Sequence, residues 1–235
     1  MGAKESNRLF KDRITLTDYG SLIKNLSDAL DGGPQALTRL LFGTETPDLY
    51  TDHGAYRPGQ HNRCAGLGSG RFTEIRLCKC MYYRSSPYPR QCGNCAFPAR
   101  FDLVGAYRVT DYQVPAYYYS GGVGKIDLIV SHGSTHYATE VKPYRGNTET
   151  LLRMIAEILT YTQGYPAGKY ERAIAFFEKD PETGEKTAQQ AEYENADPAL
   201  LALLEKAHIS VFQFLEADEK AYQLCKLSFT GEPTK

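Results

Sequence analysis

The sequence predicts an α/β protein with a mixed central β-sheet flanked by helices. Two apolar, β-branched runs, Gly124–Val130 and His136–Lys142, are joined by a short polar link with Gly133-Ser134 at its centre and read as a tight hairpin. After this hairpin, strand-like and helix-like segments alternate, which packs helices on both faces of a sheet. Ahead of it, two amphipathic runs have helical spacing.

Taken in order, Leu22, Ile23, Leu26, Ala29 and Leu30 recur at helical spacing after a cap at Thr17 or Asp18, and Gly32-Gly33 stops the run. Pro34 opens a second helix with Leu37, Leu40 and Leu41 on one side and Gly43 as its stop. Residues 43–70 are rich in Gly, Pro and polar side chains and read as a long loop. A cysteine-rich segment follows, then a strand over Phe101–Val109, the hairpin within Tyr117–Lys142, and a helix over Thr148–Thr162 with a Leu151, Leu152, Ile155, Ile158, Leu159 stripe. Ala173–Phe177 reads as a strand, Pro198–Ala207 as a helix, and Ile209–Leu215 and Tyr222–Phe229 as the last strands.

At 235 residues and 42% hydrophobic content, the chain accommodates one main core with an insertion. The expected division is a helical region and loop over 1–62, a cysteine-rich insertion over 63–98 and a core over 99–235. No apolar run is long enough for a bilayer and Met1–Ser6 lacks a secretory signal, so a cytoplasmic protein with no membrane partner is expected.

The hairpin carries the chemistry. With Gly133 and Ser134 as its turn, His132 faces Thr135, Val130 faces Tyr137 and Asp127 faces Glu140. Directly opposed residues have Cβ atoms roughly 4.5–5.5 Å apart, and like charges there are destabilising unless a cation compensates. Strand alternation puts the Lys142 ammonium on the same face. A surface hairpin with an ordinary ion pair is the alternative, and Asp218-Glu219-Lys220 shows the same spacing in what reads as a solvated turn. The apolar neighbours of Asp127, Glu140 and Lys142 separate the two cases, because unpaired charge in a buried strand is expensive.

Five of the six cysteines lie between Cys64 and Cys95. Cys78 with Cys80 and Cys92 with Cys95 form two close pairs, the arrangement of a zinc-ribbon-like Cys₄ site, with Cys64 or His61 able to replace a ligand and unliganded cysteines as the alternative. The net charge is −1, yet from Arg57 to Arg108 nine basic residues face only Glu74 and Asp102. Arg76, Lys79, Tyr82, Arg84 and Arg90 in this stretch suit phosphate contact and base stacking, against the alternative of a purely structural module with an incidental surface.

The order strand, strand with Asp127, strand with Glu140-Val141-Lys142, helix, strand resembles the PD-(D/E)xK nuclease superfamily over roughly residues 101–215. The resemblance implies a restriction-endonuclease-like fold. It implies that Asp127 and Glu140 ligate Mg²⁺ or Mn²⁺ and that Lys142 helps activate or orient the attacking water. Members often add a carboxylate from an earlier element, for which Glu74 and Asp102 are the candidates. Glu157 and Tyr161 fall where recombination-type members carry a Gln and a Tyr; Glu157 departs from that pattern, and a solvated helix face is the alternative. Some helicase-linked members hold an iron–sulfur cluster, which ranks below structural Zn²⁺ for the cysteines here. The implied function is a Mg²⁺-dependent phosphodiesterase, a deoxyribonuclease of endonuclease type in defence, restriction or mobile-element processing. The alternative is a non-catalytic nucleic-acid-binding or assembly subunit. The implied partner is nucleic acid, DNA ahead of RNA, with a homodimer or a partner subunit left open.

Overall fold

The computed structural model describes residues 9–43, 61, 73–85, 101–116, 124–146, 148–218 and 221–229. The two N-terminal helices form as the spacing predicts: α1 spans Tyr19–Asp31 and α2 spans Gly33–Phe42. Pro34 lies in the first turn of α2, where its missing N–H costs nothing, and Gly43 ends that helix with φ +71°.

Seven strands build one sheet: β1 (Asp102–Val104), β2 (Arg108–Pro115), β3 (Lys125–His132), β4 (Thr135–Lys142), β5 (Glu171–Phe177), β6 (Ile209–Asp218) and β7 (Ala221–Lys226), in the order β1-β7-β6-β5-β4-β3-β2. Strands β4, β5 and β6 run parallel, β2, β3 and β4 pair antiparallel, and β7 is antiparallel to β6 but parallel to β1. The sheet is therefore mixed, as expected. The helices α4 (Leu151–Thr162), α5 (Ala188–Glu194) and α6 (Pro198–Lys206) lie between the parallel strands in sequence, as such crossovers require.

Two apolar layers sandwich the sheet. On one face, α1, α2, α4 and α6 bury Leu26, Leu41, Leu152, Ile155, Leu159 and Leu203 against Ile129, Ala138, Ile174 and Phe176. The other face is covered, among the described residues, by a single helix, α3 (Glu74–Ser85), and is rich in aromatic rings. Helices thus lie on both faces, but unequally. Among the described residues no helix is long and apolar enough to cross a membrane.

Three expectations need correction. The single strand expected over Phe101–Val109 is two: Gly105, at φ +95°, turns the chain so that β1 joins one edge of the sheet and β2 the opposite edge. The segment holding Cys78 and Cys80 is helical, because Leu77, Cys78, Met81 and Tyr82 fall on one buried stripe at helical spacing. The short helix α5 was not anticipated; Thr187 caps it by accepting from the Gln190 N–H.

Candidate metal centre

The hairpin has the predicted register, with His132 opposite Thr135 and Val130 opposite Tyr137, and Gly133 supplies the turn with φ +59°. The ladder ends at Leu128 opposite Thr139. One step beyond, Asp127 and Glu140 no longer form a regular strand pair, because the Asp127 carboxylate has taken over the next backbone donor: the Val141 N–H donates to Asp127 Oδ2 at 2.9 Å. The carboxylates converge as expected, through a side chain that replaces a ladder hydrogen bond.

Glu140 and Lys142, two residues apart on β4, share a face, and the Lys142 Nζ donates to Glu140 Oε1 at 2.7 Å. Helices from both layers complete the cluster. From α3, Glu74 Oε2 lies 3.1 Å from the ammonium; from α4, Glu157 Oε2 lies 3.1 Å away, and Glu149, just ahead of that helix, lies at 2.7 Å. Thr150 caps α4 by accepting from the Arg153 N–H, which fixes the turn that aims Glu149 inward. Arg153 Nε spans Glu149 at 3.1 Å and Glu157 at 3.3 Å.

Of the two candidate auxiliary carboxylates, the fold selects Glu74. Ligand oxygens of Glu74, Asp127 and Glu140 all lie within 4.8 Å of one another. Asp102 instead forms a two-point ion pair with Arg84, so it leaves the site. Glu74, Glu140, Glu149 and Glu157 thus meet Lys142, Arg153 meets Glu149, Glu157 and, at 3.8 Å, Asp12, and Asp127 converges with Glu74 and Glu140. An ammonium has only three N–H donors for its four acidic neighbours.

The electrostatics follow from burial. Asp127, Glu140 and Lys142 are each no more than 3% exposed. Burial, and then the Glu74 charge, push the Asp127 carboxyl well above its ordinary range, against the pull of Lys142 and the Val141 N–H. Burial and Asp127 do the same to Glu140. Burial favours loss of the Lys142 proton, but the charges of Glu140, Glu157, Glu74 and Asp127 outweigh it and hold the ammonium above its ordinary value. Burial also raises Glu157, yet Lys142, a hydrogen bond with Glu140 and Arg153 bring it below the usual carboxylate range. Glu140 Oε2 is buried with no hydrogen-bond donor among the described residues. A proton or a cation has to satisfy it.

The donor set fits a hard divalent ion. Three converging carboxylates, one with an orphaned buried oxygen, are oxygen ligands of the kind that Mg²⁺ and Mn²⁺ take.

Tyr161, one turn beyond Glu157 on α4, is nearly buried and not on a solvated face. Burial and the charges of Glu140, Glu157 and Asp127 push its phenol up, so it stays neutral. Its ring packs over Gly124, where an added Cβ would come within 2.6 Å and where φ is +124°. Gln113 was missed by the sequence reading: its Nε2 donates to Asp127 Oδ1 at 2.9 Å. Glu149 and Arg153 were missed as well, although their i, i+4 spacing with Glu157 was available as a signal.

Among the described residues, the other predicted residues do not join this centre. Cys78 and Cys80 lie on α3 and not on a knuckle, so positions two apart project about 200° from one another around the helix, which disfavours their sharing one tetrahedral ion. Burial, then Asp127, Glu74 and Glu140, push the Cys78 thiol up. Cys64, Cys92, Cys95 and Arg90 lie outside the described residues. Tyr82 is buried against Tyr83, Tyr112 and His61, which withdraws its ring from stacking on a base, and Arg84, partly exposed, pairs with Asp102. Arg76 and Lys79 are half-buried on α3. His61 Nε2 lies 2.5 Å from Asp111 Oδ1 on β2.

The chain matches no family model, no curated protein and no solved structure. Its chemistry is read from this geometry.

Proposed function

We propose that the chain hydrolyses phosphodiester bonds in nucleic acid, DNA ahead of RNA, with a divalent metal ion held by Glu74, Asp127 and Glu140. The observation that carries this reading is the convergence of those three carboxylates within 4.8 Å beside the buried Lys142 ammonium. A bound divalent ion polarises a phosphoryl oxygen and lowers the pKa of a water molecule at neutral pH.

The protein groups supply the rest. Lys142, whose proton is held by four carboxylates, is an electrostatic partner for the charge that grows on the phosphoryl oxygens and not a general base. Glu149, Glu157 and Arg153 fix Lys142 from the α4 side. Tyr161 offers a neutral hydroxyl at the same wall. Support for a polyanionic substrate comes from the excess of nine basic over two acidic residues between Arg57 and Arg108. The proposed reaction uses none of the thiols.

The number of carboxylates around Lys142 also favours a second reading, in which the ammonium is locked in a structural ion-pair network and the chain is a nucleic-acid-binding or assembly subunit. The deciding experiment incubates the protein with supercoiled plasmid, linear single- and double-stranded DNA, and RNA, in Mg²⁺, Mn²⁺ or EDTA. Under the first reading, cleavage requires the metal and falls at least about 100-fold in Asp127→Asn and in Lys142→Met. Absence of cleavage of every substrate by folded protein in either metal sinks it in favour of the second.

A further inference from the structure

Gln113 occupies a backbone conformation that its residue type disfavours. It sits inside β2 at φ +51°, one of two non-glycine residues with positive φ among those described. Glycine, and less often asparagine or aspartate, adopts this region; glutamine has no short side chain with which to stabilise it locally. Such outliers persist where the surroundings over-determine them and cluster at functional sites.

The surroundings here are specific. Pairs Tyr112 with Leu128 and Val114 with Ile126 bracket Gln113, so the register sets it opposite Asp127, where the regular ladder is interrupted. The side chain then reaches across: Nε2 donates to Asp127 Oδ1 at 2.9 Å, while the Val141 N–H donates to Oδ2 at 2.9 Å. The amide has to present its nitrogen, because an amide oxygen facing a carboxylate would be repelled. Both Asp127 oxygens are thereby fixed by one donor each from the two strands that flank β3, and each keeps a lone pair for a cation.

From this geometry we infer that Gln113 is a positioning residue for the metal centre: its strained backbone is retained because it delivers the amide that sets the orientation of Asp127 toward Glu74 and Glu140. The inference rests on the metal-dependent reading above. Hydrogen-bond partners of a metal-ligating carboxylate orient it, and their loss typically weakens metal binding about 10–100-fold.

The test titrates Mn²⁺ into the full chain by calorimetry and records thermal unfolding in EDTA, for wild type, Asp127→Asn, Gln113→Gly and Gln113→Asn. Glycine takes φ +51° without strain but has no amide; asparagine tolerates the backbone but is one methylene too short to reach Asp127. The expected result is an Mn²⁺ affinity lowered about 10–100-fold in both Gln113 variants. Gln113→Gly should meanwhile unfold no earlier than wild type, which separates a lost ligand orientation from a lost fold. Wild-type affinity in either Gln113 variant, with binding abolished by Asp127→Asn, overturns the role of Gln113 and leaves the metal centre standing. Absence of Mn²⁺ binding by the wild type, or full binding by Asp127→Asn, overturns the metal centre and the inference with it.

Discussion

Three residues apart in sequence, Lys142 and Arg145 each meet more carboxylates than they can neutralise, yet the two clusters are physically unlike. Arg145 holds Asp180 at 2.6 Å and Glu182 at 2.5 Å with 40% of its own side chain exposed, so water and salt screen the guanidinium and the exposed Glu182, although Asp180 is buried. Lys142 holds four carboxylates at 2.7–3.1 Å with 3% exposure. There the distances are no shorter, but solvent reaches only Glu74 and Glu149, and nothing replaces a partner lost by Glu140, Glu157 or Lys142. Bond length is a poor guide to what an ion pair contributes; burial and charge balance decide it.

The largest test of that contrast removes each cation in turn. In EDTA near neutral pH, Lys142→Met should destabilise the fold by about 3–5 kcal/mol, because it leaves buried carboxylates uncompensated. Arg145→Met should shift the melting temperature by roughly 2 °C or less. Urea unfolding and thermal scans measure both, and equal effects would break the comparison.

Next in size, Glu140→Gln should stabilise the metal-free protein by about 1–3 kcal/mol, since its amide keeps an acceptor for Lys142 and turns a donor toward Glu157. The same variant should lose Mn²⁺ binding, so gain in stability and loss of the ion are expected together.

The smallest effect is the pH dependence. Asp127 and Glu140 are raised in the folded state relative to ordinary values of 3.8 and 4.5, so between those values and the folded ones the folded chain holds protons that the unfolded chain releases. Stability therefore falls as pH rises through that window. Glu157, shifted down, contributes the opposite slope, present above its ordinary value and lost in acid. The Glu157 window lies below 4.5 and that of Asp127 and Glu140 above it, so the melting temperature in EDTA should decline as the pH rises above about 5. Mn²⁺ or Glu140→Gln should flatten the decline, and a flat wild-type profile would show that a proton is not what satisfies Glu140.

The two helices that bring glutamates to Lys142 show how far the sequence could be read. Helix α4 was legible because Leu151, Leu152, Ile155, Ile158 and Leu159 give an apolar stripe behind a Thr150 cap. Helix α3 was not, because its buried face is built from Leu77, Cys78, Met81 and Tyr82, and close-spaced cysteines point to a metal knuckle before they point to a helix. The Asp127, Glu140, Lys142 set was legible because strand alternation and a two-residue turn are local rules that fix which side chains share a face.

By itself the sequence determined the mixed α/β class, the hairpin register and the clustering of Asp127, Glu140 and Lys142, all consequences of short-range backbone periodicity. Tertiary structure alone decided that Glu74 and not Asp102 joins them, that Glu149 and Glu157 close around Lys142, and that Gln113 holds Asp127. Those choices depend on which helix end or strand edge arrives at one point from opposite layers of the sheet, and packing over long sequence separations leaves no local pattern to read.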